Sequence, residues 1–204
     1  MHPTHHHLIT ARLSRIKPTQ ATVGMYEVQL KREEWKSLKK SERKELIATH
    51  WFPSVIGPGG EYYIVDHHHL GMALHLEEHE SVQLTVLKDL SWLSEETFWK
   101  TMEFSKLAHP YDASGKRISF SQIPQSIEKL KDDPFRSLAG VMRQHGAYAK
   151  VDVPFTEFLW ADYFRLHFKK TEVRKITRQL LAKANKLAKL PEARYLPGWS
   201  GVEA

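Results

Sequence analysis

The 204-residue chain carries 30 Lys and Arg, 24 Asp and Glu and 13 His, a formal charge of +6, with 41% hydrophobic and 26% charged residues. That balance supplies a sizeable core and excludes a disordered or collagen-like chain. The lack of cysteine removes disulfides, thiol nucleophiles and thiolate metal sites.

No apolar run approaches a membrane span, and Met1 to Arg12 has no apolar core of signal-peptide length, so a cytoplasmic location with no membrane partner is the expectation. The length suits one domain, or one with a helical extension.

Leu8 to Ile16 is partly alternating and reads as a strand that Pro18 ends. Met25 to Leu38 reads as a helix, since Met25, Val28, Trp35 and Leu38 share an apolar face. Ser41 can cap a short helix from Glu42 to His50. Val55-Ile56, the turn Gly57-Pro58-Gly59-Gly60 and Glu61 to Val65 read as a β-hairpin. Asp66 can cap a helix from His67 to about Glu78, and Ser81 to Leu90 alternates as a strand.

From there the pattern turns helical. Ser94-Glu95-Glu96 opens a helix through Phe98, Met102 and Leu107, and His109 to Gly115 is a loop. Pro134 starts a helix to about Gln144, and Phe155 to Phe168 is helical and aromatic. Thr171 to Leu190 reads as one long amphipathic helix, with Val173, Ile176, Leu180, Ala184 and Leu187 at helical spacing and Pro191 as its stop. The expectation is an α+β fold: a small mixed sheet with helices over residues 1–110, then a helical extension over 111–204 packed on it as one compact unit.

Charge is uneven along this order. Residues 1–50 hold 10 Lys and Arg against 5 acids, 51–100 hold 2 against 8, 101–150 hold 8 against 5, and 151–204 hold 10 against 6. An acidic, His-rich middle between basic flanks reads as ordinary solvated surface, or as a cation-dependent site beside surfaces that favour polyanions.

The most informative segment is Tyr62-Tyr63-Ile64-Val65-Asp66-His67-His68-His69-Leu70-Gly71. An apolar strand delivers an acid and three histidines to a helix N-terminus, where backbone N–H groups favour an anion. Imidazoles there can donate to phosphate, bind a metal or move protons near neutral pH. Consecutive helical residues diverge, so at most two of the three line one site. A buried hydrogen-bonding histidine and a simple Asp66 cap are the bland readings, and the run of four tilts the balance to function. Adjacent positions converge poorly for a zinc site. His75 and His79 have ligand-pair spacing, but a solvated pair is the plainer reading.

This segment resembles the Asp-Gly-His-His-Arg box of the ParB/sulfiredoxin superfamily. Ile16-Lys17-Pro18-Thr19-Gln20 resembles the post-strand Pro motif. Val23-Gly24-Met25-Tyr26-Glu27-Val28 with Lys31 resembles the helix start of the uncharacterised ParB-like nuclease branch. The likeness covers roughly residues 8–90 and rests on the ordered set of motifs.

The resemblance implies a nucleotide or phosphate pocket between the post-strand loop and the box. Residue by residue, Asp66 takes the acid position, His67 the Gly position and His68 and His69 the two histidines. Leu70 stands where the box has Arg, which removes a bidentate phosphate ligand. The expected site then comprises Glu27, His68 and His69 as catalytic residues and Thr19, Gln20, Lys31, Asp66 and His67 as phosphate-binding ones. Asp66 or Glu27 would hold a divalent cation such as magnesium, and ATP, ADP or CTP would be the nucleotide. The implied activity is that of a nuclease, a nucleotide hydrolase or a kinase. The alternative is a non-catalytic nucleotide-sensing or nucleic-acid-binding module. Sulfiredoxin chemistry needs a box cysteine, which is missing here. Gln20 stands where the kinase branch has an acid. The arginine-rich box and helix-turn-helix of a chromosome-partitioning protein are not visible.

Other features read more plainly. Glu27, Lys31 and Glu34 can form a salt-bridge ladder. Gly57 to Gly60 lacks the pattern of a P-loop. Lys169 to Leu190 carries eight basic residues and the single acid Glu172, a solvated face or a nucleic-acid contact. The aromatic series Phe155, Phe158, Trp160, Tyr163, Phe164 and Phe168 reads as core or a dimer interface.

Overall fold

A computed structural model describes residues 8–201; Met1 to His7, part of the segment read above for a signal peptide, lie outside it. The fold is α+β, and the chain divides into two compact units. The first takes the residues up to Thr22, Val28–Asp112 and Lys116–Lys131; the second takes Val23–Glu27, Ala113–Gly115 and everything from Asp132 on.

The elements of the first unit begin with β1 (Leu8–Arg12) and β2 (Ile16–Pro18). One residue of β3 (Thr22–Val23) follows before the chain passes to the second unit. Then come most of α1 (Met25–Ser37), α2 (Lys40–Thr49), β4 (Phe52–Ile56), β5 (Tyr62–Ile64), α3 (His68–Leu76), β6 (Ser81–Asp89) and α4 (Glu95–Phe104). A single sheet holds five of these strands in the order β1-β6-β4-β5-β2. It is mixed: β1 with β6 and β4 with β5 are antiparallel, whereas β4 with β6 and β2 with β5 are parallel.

The stretch read as one strand from Leu8 to Ile16 is two. A short 3-10 turn at Leu13–Arg15 separates them, and they lie at opposite edges of the sheet. The β4–β5 hairpin is as read. Its turn needs glycine because Gly59 and Gly60 have φ of +72 and +76, the left-handed region that L side chains avoid. Val55, Tyr63, Phe98, Trp99 and Met102 form an aromatic core cluster. Ile127 packs near α3, where a Cβ on Gly71 would come within 3.1 Å of it.

α2 starts at Lys40 instead of Glu42. The cap is Lys39, whose backbone N–H donates to Glu42 Oε2 at 2.6 Å, and Ser41 lies inside the helix. α4 stops at Phe104, three residues before Leu107, because Lys106 is left-handed at φ +58.

The second unit is mainly helical, its strand residues being Val23 of β3 and Asp132 of β7 (Lys131–Asp132) at the crossings into it. It contains α5 (Pro134–Gln144), α6 (Thr156–His167), α7 (Lys170–Val173) and α8 (Arg178–Lys189). Asp133 caps α5 by accepting the Phe135 N–H at 3.0 Å. Phe135, Leu138, Met142, Tyr148, Trp160, Tyr163, Phe164, Leu180 and Ala184 form its core. Tyr148 stacks on Trp160 with ring centroids 4.1 Å apart. Of the aromatic series, Trp160, Tyr163, Phe164 and Phe168 are therefore core, Phe158 is buried outside that cluster and Phe155 is half-buried.

The long helix expected over Thr171 to Leu190 is broken at Arg174 to Thr177. The Thr177 hydroxyl accepts the Leu180 N–H at 3.1 Å and starts α8 as a new helix. Apolar spacing continues across the break, so periodicity alone does not reveal it. The local cap of a Ser/Thr side chain outcompetes helix continuation there.

Candidate functional site

The Asp-His-His-His box joins β5 to α3. Asp66 is exposed, and its Oδ1 accepts the His67 N–H at 2.6 Å, which fixes the turn. His67 is the N-cap residue of α3 and is left-handed, at φ +62 and ψ +21. The Gly position of the resembled box thus keeps a glycine-like backbone while carrying an imidazole. That conformation costs an L residue about 1–2 kcal/mol, and such strain gathers at functional sites. No side chain caps α3, so its N-terminal partial charge is not answered by a capping residue.

His68 and His69, in the first turn, are 3% and 8% exposed. The Nε2 of His68 accepts the Thr19 backbone N–H at 3.3 Å, which assigns the proton of the neutral ring to Nδ1. The Thr19 hydroxyl donates to the Ile64 carbonyl at 2.9 Å. The Gln20 amide donates to the Thr22 carbonyl at 2.7 Å. The post-strand loop is therefore pinned to β5 by the Thr19 hydroxyl and to α3 by the His68 ring. Of the three histidines, His67 is the least buried.

The His67 ring lies 5.5 Å from the Phe52 ring, centroid to centroid. Burial holds its pKa below the ordinary histidine value. The Asp66 carboxylate opposes that shift, and the positive charges of His50 and Lys31 add to it. His50, Lys31, Asp66 and His67 thus form one electrostatic group at the start of α3. The hairpin brings them together. Ser54 pairs with Ile64, Val55 with Tyr63, and the Val65 N–H donates to the Pro53 carbonyl at 2.9 Å. Carried outward, the same register sets Phe52 opposite Asp66. His50 and Phe52 went unread in the sequence, since only strand pairing gives them a place beside the box.

Leu70, in the Arg position of the box, is buried in the core. Lys31, on α1, is a cation whose charge bears on His67. Glu27 joins an ion-pair group of the second unit. Its Oε2 lies 3.9 Å from Arg136 Nη1, and Arg136 also reaches Glu157 at 3.8 Å. Arg143 pairs with the same Glu157. A Cβ on Gly140 would come 3.1 Å from Glu27 Oε2, so the absent side chain makes room for this carboxylate. The ladder read for Glu27, Lys31 and Glu34 does not form.

Among the described residues no three His, Asp or Glu side chains converge as a metal-binding group. His75 lies 3.6 Å from Glu128, and His79 packs edge-on to Trp35 at 5.1 Å with its Nε2 buried. His79 is therefore not the solvated residue expected. No helix of the described residues is long and apolar enough to cross a membrane.

Residues 9–166 match the family model described as "Putative ParB-like nuclease". The chain belongs to this ParB-like family. The match runs well past the segment whose motifs carried the resemblance and takes in α5 and most of α6. A crystal structure of protein Atu1540 from Agrobacterium tumefaciens is 43% identical, with a TM-score of 0.89 over 97% of this chain and 99% of that one. The likeness to that protein extends to nearly the whole chain. A conserved hypothetical protein from Pyrococcus furiosus aligns over 43% of this chain and 34% of its own, at 20% identity and a TM-score of 0.33. No curated protein matches.

Proposed function

We propose that this ParB-like protein acts on a phosphoryl or phosphodiester group at the start of α3. The observation that carries the reading is the left-handed, half-buried His67, set at an uncapped helix N-terminus with Lys31 and His50 bearing on it. Three basic groups and a helix N-terminus suit a phosphate anion. The lowered pKa keeps the His67 ring neutral near pH 7, where it can accept a proton from an attacking water or hydroxyl. His68 serves in this reading as a positioning residue, because its Nε2 holds the Thr19 loop. Asp66 is the box carboxylate open to a divalent cation such as magnesium brought in by a nucleotide.

The test is a panel of ATP, ADP, CTP and DNA with magnesium or manganese. Turnover of one of them should fall at least about 100-fold in His67→Gln, the usual worth of a general acid or base. Turnover that survives His67→Gln and Asp66→Ala together would remove this site from the chemistry.

A nucleotide sensor without turnover is the second reading. It is favoured by the engagement of Thr19, Gln20 and His68 in internal hydrogen bonds and by the apolar Leu70 at the Arg position. A rise in melting temperature with nucleotide, without product, would select it.

A further inference from the structure

The second unit carries a basic surface that the box does not use. Along α8, a turn of 100° per residue puts Arg178, Lys183, Lys186 and Lys189 within an arc of about 140°. Only Gln179, Ala182 and Leu190 share that arc, and it holds no acid. Leu180, Ala184 and Ala188 are buried on the opposite side. Arg174 and Lys175, in the break before α8, and Lys169 and Lys170 before it extend the basic run, and all four are exposed. Among the described residues none of Lys175, Arg178, Lys183 and Lys186 is in an ion pair with a carboxylate. Lys189 differs, since its amine donates to the Ser200 hydroxyl at 2.7 Å.

We propose that this face of α8 docks on the phosphate backbone of duplex DNA. Charge complementarity selects a polyanion. A membrane surface fits poorly. A membrane-bound amphipathic helix inserts its apolar face, and here that face is buried in the core with Tyr163, Phe164 and Val173. Between duplexes the dimensions favour DNA. From Arg178 to Lys189 the helix runs about 16 Å, and the B-form major groove, about 12 Å wide, admits a helix. The A-form major groove of RNA is too narrow for side chains to read. The cations of the arc meet phosphates, which carry no sequence information, so binding is independent of sequence.

The experiment titrates the full chain against two unrelated DNA duplexes and one RNA duplex by fluorescence anisotropy, from 50 to 200 mM salt. Wild type should bind both DNAs alike and more tightly than the RNA. The variant Lys175→Gln/Arg178→Gln/Lys186→Gln should flatten the plot of log K against log salt by about 3, one phosphate contact per side chain. Its melting temperature should match wild type, because the buried stripe does the packing. The triple variant should keep the wild-type response of melting temperature to nucleotide, which reads the phosphate site, so the two readings fail separately. An unchanged salt slope in the triple variant, tighter binding to RNA, or no DNA binding by wild type would each overturn the proposal.

Discussion

The imidazole of His68 and the backbone of Thr19, 49 residues apart, are joined by a buried hydrogen bond of 3.3 Å from the Thr19 N–H to Nε2. That bond ties the loop after β2 to the first turn of α3, so this box histidine sets the shape of the site from inside. Removing it leaves a buried N–H without its partner and a small void. His68→Ala should cost about 2–4 kcal/mol in denaturant unfolding. Hydrogen exchange adds a local readout: the Thr19 amide, slow in wild type, should exchange fast in the variant. A Thr19 amide equally protected in both would show that the loop is held by other means.

His67→Gly separates backbone from chemistry. Glycine adopts the left-handed conformation at φ +62 without a Cβ penalty. The variant should therefore be as stable as wild type or up to about 1 kcal/mol more stable, while losing affinity for inorganic phosphate and nucleotide. A variant that is both destabilised and unimpaired in binding would mean that the imidazole is a packing element against Phe52.

The pH dependence of stability follows from the same ring. Burial, with Lys31 and His50 nearby, holds the folded-state pKa of His67 below its ordinary value of 6.5. The unfolded chain then binds the proton more readily, so stability rises with pH between the lowered value and 6.5. Above 6.5 both states are neutral at this position and the dependence vanishes. Acidification from pH 7.5 to 5 should cost wild type stability that His67→Gln does not lose. Proton NMR of the ring should place its midpoint below 6.5 and move it upward when phosphate binds. A midpoint above 6.5 in the free protein would contradict the assignment.

Much of this was legible in the residues. The hairpin announces itself through Gly57 to Gly60, the helix α5 through Pro134, and the box through an acid and three histidines behind an apolar strand. The order of motifs gave the family. What stayed hidden depends on distant pairing. His50 and Phe52 reach the box only through the β4–β5 register, and Glu27 finds Arg136 only when α1 and α5 are both folded. The bonds of Thr19 and Gln20 to the carbonyls of Ile64 and Thr22 also appear only once the loop is folded. The break before α8 was invisible because a Thr cap leaves the apolar period undisturbed.

The second unit contains a test of its own. Asp133 is 1% exposed, caps α5 and pairs with Arg165, which also pairs with Asp162 and lies over the Phe135 ring at 5.2 Å. Burial raises the Asp133 pKa, and the Arg165 charge opposes that rise. Arg165→Met keeps most of the side-chain bulk but strips the cation from a buried carboxylate. Breaking such a pair from one side costs about 3–5 kcal/mol at neutral pH. Adding Asp133→Asn removes the stranded charge and keeps an oxygen for the Phe135 N–H, so the double variant should be more stable than Arg165→Met alone. The sign of the pH effect is a further check. Without Arg165 the folded-state carboxyl binds its proton more tightly than the unfolded chain does. Stability therefore grows as pH falls, and the deficit of Arg165→Met relative to wild type should be smaller at pH 5 than at pH 8. An equal deficit at both, measured by denaturant unfolding, would place the loss in packing against Phe135 instead of in the unpaired charge.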